Sequence, residues 1–198
     1  DRMGKKMEAY FPMEAFYKRP VRAGLLAGHC DAQFGLPRDQ GDWYIPGSVL
    51  LSTSFTSIGY SVVLPRSQPV SRLADLQGKT VGVQAGSPPQ FALSEIEGLE
   101  MRTFQFPEQA LDALHAATID AAFVWGPLAG YLNTFVYENS YRVVPSGLSW
   151  PVAIGVRADN TLLKEQLDSL IRELGDDIRQ LRARYGLPNG DAIPVREP

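Results

Sequence analysis

Short apolar runs of strand length recur along the chain, most of them followed by a break at Gly, Pro, Asp or Ser and then by a stretch whose apolar positions step by three or four. "MEAYF" (7–11) reads as a short strand. Pro12 opens a segment in which Phe16, Leu25 and Leu26 predict a buried helical side, closed by Gly28. "DAQFGL" (31–36) is the next strand. Residues 37–54, "PRDQGDWYIPGSVLLSTS", carry enough breakers to predict a long loop with room for one helical turn. "IGYSVVLP" (58–65) is extended and stopped by proline.

The rhythm then repeats. "KTVGVQA" (79–85) leads into Gly86-Ser87-Pro88-Pro89, with Ser87 placed to cap and Pro88 to occupy the first turn of a helix reaching about Ile96. "MRTFQF" (101–106) is followed by a helix from Pro107 with Leu111 and Leu114 on one face, and then by the strand "DAAFVW" (120–125), which breaks at Trp125-Gly126-Pro127 into a helical pattern. "PVAIGVR" (151–157) is a strand expected beside 58–65. From Leu163 to Tyr185 apolar residues step by three or four, predicting one long helix capped by Asn160 and stopped by Gly186 and Pro188.

Strands alternating with helices predict an α/β fold. Phe11-Pro12, a helix and "DAQF" match Phe106-Pro107, a helix and "DAAF", which suggests two similar lobes with a cleft between them. If 58–65 and 151–157 are the two crossings, lobe one is 1–64 plus 152–198 and lobe two is 66–150, joined by a two-strand hinge.

Composition removes several classes of function. A net charge of −3 with scattered Lys and Arg offers no basic face for nucleic acid or anionic lipid. No apolar run approaches the roughly 18–20 residues that cross a bilayer, so no membrane insertion is expected. The opening "DRMGKKMEAYFP" lacks the apolar core of a signal peptide, which fits either a cytosolic chain or a processed one. Cys30 is the sole cysteine, so no internal disulfide is expected, and with His29 and His115 it forms no metal motif. No nucleophile elbow, phosphate loop, dinucleotide fingerprint or zinc-protease motif is present, so the expectation is a protein without catalysis, cofactor or metal.

The candidate site residues are Trp125, Tyr131, Gly86, Ser87, Trp43 and Tyr44. Trp125 is either an aromatic wall in the cleft or a strand-end ring packed under the following helix. Tyr131, one turn later, faces the same cleft or the core. Gly86 and Ser87 offer helix-start N–H groups to an anion, reduced by Pro88 and Pro89, or Ser87 is an ordinary cap. Trp43 and Tyr44, in "DWYIPG", form a recognition surface or a local plug. Asp31 and Asp120 read as solvated strand ends, and His29 and His115 as residues near helix C-termini without an evident partner.

"LAGHCD" (26–31), "LADLQGKTVGVQAGS" (73–87), "PVAIGVR" and the closing "RARYGLP" (182–188) follow one another as in the type II periplasmic solute-binding proteins of ABC importers, which the chain resembles over nearly its whole length. "LLAGHCD", "VWGPLAGY" (124–131) and "IGVR" resemble most closely the subgroup associated with quinoprotein dehydrogenases, the MxaJ and XoxJ proteins encoded beside methanol dehydrogenases. The resemblance implies a two-lobed α/β fold with an interlobe cleft, lobe one lacking the strand with which the family begins. It implies a processed, periplasmic, non-catalytic accessory protein of a PQQ-dependent (methanol or alcohol) dehydrogenase. The partner would be that enzyme, with its cytochrome a further candidate. The alternative it leaves open is an importer's binding protein for a small uncharged or aromatic solute.

In amino-acid-binding members, a carboxylate at the end of the strand after the Asp-Ala pattern holds the ligand ammonium, and a lobe-one Arg clamps its carboxylate. Here Trp125 stands at the first position, with no Asp or Glu from Ala121 to Thr134. "PGSVLLSTSFTS" supplies no Arg, and Arg38 precedes the long loop. An unpaired buried ammonium costs several kcal/mol, so free amino acids are expected to be poor ligands. If the native protein carries the family's first strand, Cys30 is expected to pair with a Cys there.

Overall fold

The computed structural model describes residues 4, 6–11, 21–38 and 47–195. After a π-helical turn at Val21–Leu26, the elements are β1 (Ala32–Pro37), β2 (Val49–Leu51), β3 (Thr56–Pro65), β4 (Thr80–Gln84), α1 (Pro88–Leu93), β5 (Glu100–Phe104), α2 (Pro107–His115), β6 (Ala121–Trp125), α3 (Gly126–Phe135), β7 (Tyr141–Arg157), α4 (Thr161–Glu173) and α5 (Gly175–Arg184). The chain divides into a larger unit, Ser57–Trp150 with Asp176–Pro198, and a smaller one, Asp1–Thr56 with Pro151–Gly175. Both are α/β.

In the larger unit the strand order is β7, β3, β6, β4, β5. β4 runs parallel to both β5 and β6, while β6 is antiparallel to β3 with Tyr60 opposite Trp125 and Val63 opposite Ala122. The apolar run Ala121–Val124 is unbroken because both faces of β6 are covered. Val62, Leu64, Val81, Val83 and Phe123 fill one side with Leu76 and Leu93. Val63, Ala122 and Val124 fill the other with Leu111, Leu114 and Ile119 from the α2 region. Consecutive residues of β3 thus serve opposite cores, as a period of two requires.

In the smaller unit β1 and β2 both pair antiparallel with the second part of β7, Ala32 opposite Val156 and Val49 opposite Arg157. α4 lays Leu163, Leu167 and Ile171 on Ile154 and Val156. Asn160 caps it, its Oδ1 accepting from the Leu163 N–H at 3.3 Å. Asp168 is buried on this helix. Its carboxylate accepts from the Thr53 N–H at 2.7 Å and pairs with Lys164 at 2.7 Å.

Several expectations differ from the structure. Residues 7–11 form no strand; Met7 and Phe11 are 79% and 84% exposed. The segment expected to be a helix after Pro12 lies outside the described residues up to Pro20. The loop 37–54 contains β2, because "VLL" finds an edge of β7 to pair with. The strand expected at 151–157 is the second part of a 17-residue β7, and β3 lies beside its first part, where Ser146 Oγ donates to the Tyr60 carbonyl at 2.7 Å. Pro145 and Gly147 disguise that first part in the sequence. Proline is tolerated in an edge position where no ladder N–H is needed.

The expected single long helix is two, parted at Leu174. Glycine weakens a helix interior, and Asp176-Asp177 suit a new helix start. Leu181 and Tyr185 on α5 are 55% and 41% exposed, so only α4 carries a core-facing stripe. The expected lobe boundaries also differ from the compact units: β3 from Ser57 and the chain from Asp176 group with the larger unit, because β3 pairs with β6 and Ile193 enters that unit's core.

Candidate binding site

Trp125 is the last residue of β6 and the N-cap residue of α3, and its indole is half-buried. Register places Tyr60 directly opposite it on β3, with ring centroids 5.4 Å apart and the rings edge to face. Trp150, where β7 leaves the larger unit, completes a triangle, 5.8 Å from Trp125 and 6.4 Å from Tyr60. The sequence reading missed Tyr60 and Trp150. Their signal was strand register, which becomes visible only once β3 is known to separate β6 from β7.

The tight approach of β3 and β7 makes the triangle. Gly59 lies against the Leu148 carbonyl and Ser149 so closely that any side chain there would strike backbone. Ser146 Oγ holds the Tyr60 carbonyl and accepts from the Leu148 N–H at 3.2 Å. Burial pushes the Tyr60 hydroxyl above its ordinary pKa. The three segments that carry the rings, 56–65, 121–135 and 143–156, contain no Asp, Glu, Lys, Arg or His. The surface they form is aromatic and uncharged, suited to stacking or edge contacts with a flat or apolar group.

The helix start at Gly86-Ser87 is occupied by its own chain. The Gly86 N–H donates to Gln90 Oε1 at 2.6 Å and the Ser87 N–H to the Gln84 carbonyl at 3.2 Å, while Pro88 and Pro89 have no N–H. Ser87 sits at the N-cap position without capping; its hydroxyl donates back to the Gln84 carbonyl at 2.6 Å. α1 is a helix of six residues. The backbone N–H groups of Gly86 and Ser87 are thus both taken by the chain itself.

Tyr131 is 45% exposed, and its ring neighbours are Phe135 at 4.8 Å and Tyr185 at 6.4 Å, a second aromatic group distinct from the triangle. Trp43 and Tyr44 lie outside the described residues. Arg38 is tied into the smaller unit: its N–H donates to the Pro151 carbonyl at 2.9 Å and its guanidinium to the Ser52 carbonyl. Asp120 accepts from the Thr80 N–H at 2.8 Å, and exposed Asp31 faces Arg157 at 3.7 Å, both strand-end roles. His115 has partners after all, Tyr141 Oη at 3.1 Å and a stacked Tyr137 ring at 4.9 Å. Cys30 is half-buried and unpaired, its thiol pushed up by burial and then by Asp31. No group of three or more His, Cys, Asp or Glu side chains is placed to hold a metal among the described residues.

Neither a protein-family model nor a curated protein matches the sequence. Solved structures do. An ancestral cationic amino acid solute-binding protein is similar with a TM-score of 0.73 and 18% identity over 93% of this chain and 80% of that one. The substrate-binding protein of a polar amino acid ABC uptake transporter from Streptococcus thermophilus is similar with a TM-score of 0.69 and 19% identity over 86% and 69% of the two chains. The fold is that of the two-lobed periplasmic amino-acid-binding proteins. The periplasmic binding protein XoxJ from Methylobacterium extorquens AM1 shares 25% identity with a TM-score of 0.57, over 72% of this chain and 74% of that one. These solved structures are of binding proteins.

Proposed function

We propose that this protein is a non-catalytic periplasmic accessory protein of a PQQ-dependent alcohol (methanol) dehydrogenase, acting by binding the enzyme during its activation or maturation. The observation that carries this reading is the uncharged Tyr60–Trp125–Trp150 triangle, standing where an amino-acid binder would need a carboxylate. The occupied donors at Gly86 and Ser87 support it, because they leave that helix start without a free backbone N–H for a ligand carboxylate. The likeness to XoxJ, together with "VWGPLAGY", directs the reading to the dehydrogenase-associated proteins. Among the described residues no helix is long and apolar enough to cross a membrane.

In this reading the triangle receives an apolar or aromatic side chain from a segment of the enzyme, since half-buried aromatic anchors supply much of the affinity of such contacts. Trp125→Ala would then weaken binding by about 2 kcal/mol, roughly thirtyfold, while the fold persists. The test is capture of the dehydrogenase from a native periplasmic extract, with bound proteins and small molecules identified by mass spectrometry. Enrichment of a quinoprotein dehydrogenase by the wild type and its loss with Trp125→Ala is the expected result. The likeness to ABC-transporter binding proteins favours a second reading, an importer's binding protein for an uncharged or aromatic solute. A captured solute with no dehydrogenase, and a deletion that abolishes uptake while sparing the enzyme, would establish that reading instead.

A further inference from the structure

The segment after α5 is anchored in the larger unit at two places, each next to residues that carry the aromatic triangle. α5 ends in a Schellman turn: the Gly186 N–H donates to the Ala183 carbonyl at 3.1 Å and the Leu187 N–H to the Arg182 carbonyl at 2.9 Å, with Gly186 in the left-handed region at φ +66°. The turn then lies on α3 at Gly126 and Gly130, four residues apart on one helix face. At Gly130 an added Cβ would collide with the Gly186 carbonyl; at Gly126 it would strike Ser61 Oγ and the Gly59 carbonyl of β3, at 2.6 and 2.7 Å, with Pro188 Cγ in ordinary contact at 3.4 Å. Gly130 of "VWGPLAGY" is therefore the seat of the "YGLP" turn, while Gly126 lets α3 start against β3 with Pro188 beside it. Arg182 ties this first anchor to β3, donating to the Pro188 carbonyl at 3.2 Å and to the Ser57 carbonyl at 2.9 Å.

The second anchor is Ile193. It is 2% exposed in the core with Val62 and Leu64, and its backbone brackets Ser146: its N–H donates to the Pro145 carbonyl and its carbonyl accepts from the Gly147 N–H, both at 2.8 Å. Ser146 is the residue whose hydroxyl holds the Tyr60 carbonyl. One anchor thus abuts the residue after Trp125 and the start of β3, and the other the residue that fixes Tyr60.

We infer that residues 186–195 are a positioning strap for the aromatic triangle, with Arg182 and Ile193 setting how Tyr60, Trp125 and Trp150 stand relative to one another. As a device for binding, the strap rests on reading these rings as the binding surface. As a device for ring geometry, it does not. The two are separated by measuring each on its own. Two indoles this close give an exciton couplet in the far-ultraviolet circular dichroism, referenced to Trp125→Phe, and the couplet needs no partner.

Arg182→Gln and Gly130→Ala are compared in the full chain with Tyr137→Phe, which weakens the larger unit through its Asp112 contact. The expected result is that Arg182→Gln and Gly130→Ala, still folded, lose roughly half or more of the couplet and bind the captured dehydrogenase about tenfold more weakly, whereas Tyr137→Phe lowers stability with couplet and binding intact. If Gly130→Ala does not fold, Arg182→Gln decides. An unchanged couplet in folded Arg182→Gln, or an equal loss in Tyr137→Phe, overturns the strap. A changed couplet with no dehydrogenase bound even by the wild type upholds it and defeats the partner reading.

Discussion

Gly130 and Gly186 meet backbone to backbone: a methyl group on either would strike the carbonyl of the other. Helix α3 can approach the end of α5 this closely only because both positions lack a side chain. Gly130→Ala is expected to cost about 1–3 kcal/mol, as overpacked sites do. Gly47→Ala, where an added Cβ meets nothing within 4 Å, should be neutral or slightly stabilising. Chemical denaturation of both variants checks the contrast, and equal effects would remove the close approach as a constraint.

Ordinary amino acids should bind no more tightly than about millimolar, which is only about 4 kcal/mol of binding free energy. Trp125 offers an ammonium no counter-charge, and the donors at Gly86 and Ser87 are already used. Titration calorimetry with a panel of acidic, basic and neutral amino acids tests this. Submicromolar binding of any of them would overturn the account of the site.

Asp168 gives the smaller unit a pH dependence of definite sign. Burial pushes its carboxyl upward, but hydrogen bonds from Lys164 and from the Thr53 N–H outweigh that, and the net pKa lies below the ordinary carboxylate value. A depressed folded pKa stabilises fully above the unfolded value of about 4 and loses that contribution as pH falls through the lower folded value. Asp168→Asn should therefore cost about 1–3 kcal/mol at neutral pH, with the gap to wild type closing on acidification. Unfolding midpoints measured from neutral to strongly acidic pH follow this directly, and a gap that widened instead would reverse the assignment.

Tyr137 should not ionise with the ordinary tyrosines near about pH 10. Burial, then its hydrogen bond to Asp112 Oδ1 at 2.8 Å, pushes the hydroxyl far above that range. Spectrophotometric titration of Tyr137→Phe should lose no absorbance step in the ordinary range. The variant should also be less stable by about 1 kcal/mol, because Asp112 loses a partner.

The sequence by itself determined most of the elements. β1, β3, β4, β6, α2 and α3 lie within a residue or two of where apolar period, prolines and caps put them, since each is specified by neighbours along the chain. It also determined that no carboxylate stands between Ala121 and Thr134 and that the chain holds no second cysteine to pair with Cys30. Tertiary structure decided the rest. Residues 141–150 contain Pro145 and Gly147 and look like a loop until β3 and Ile193 offer them edges to pair with. The helical period through Leu174 carries no mark of the break before Gly175 beyond one glycine, and which residues of it are buried depends on what each half packs against. Trp125 was legible as a corner, but Tyr60 and Trp150 are 65 and 25 residues from it along the chain and reach it only through strand order and register. Local patterns encode periodicity and conformational preference, whereas a site assembled across strands depends on pairings that no local pattern contains.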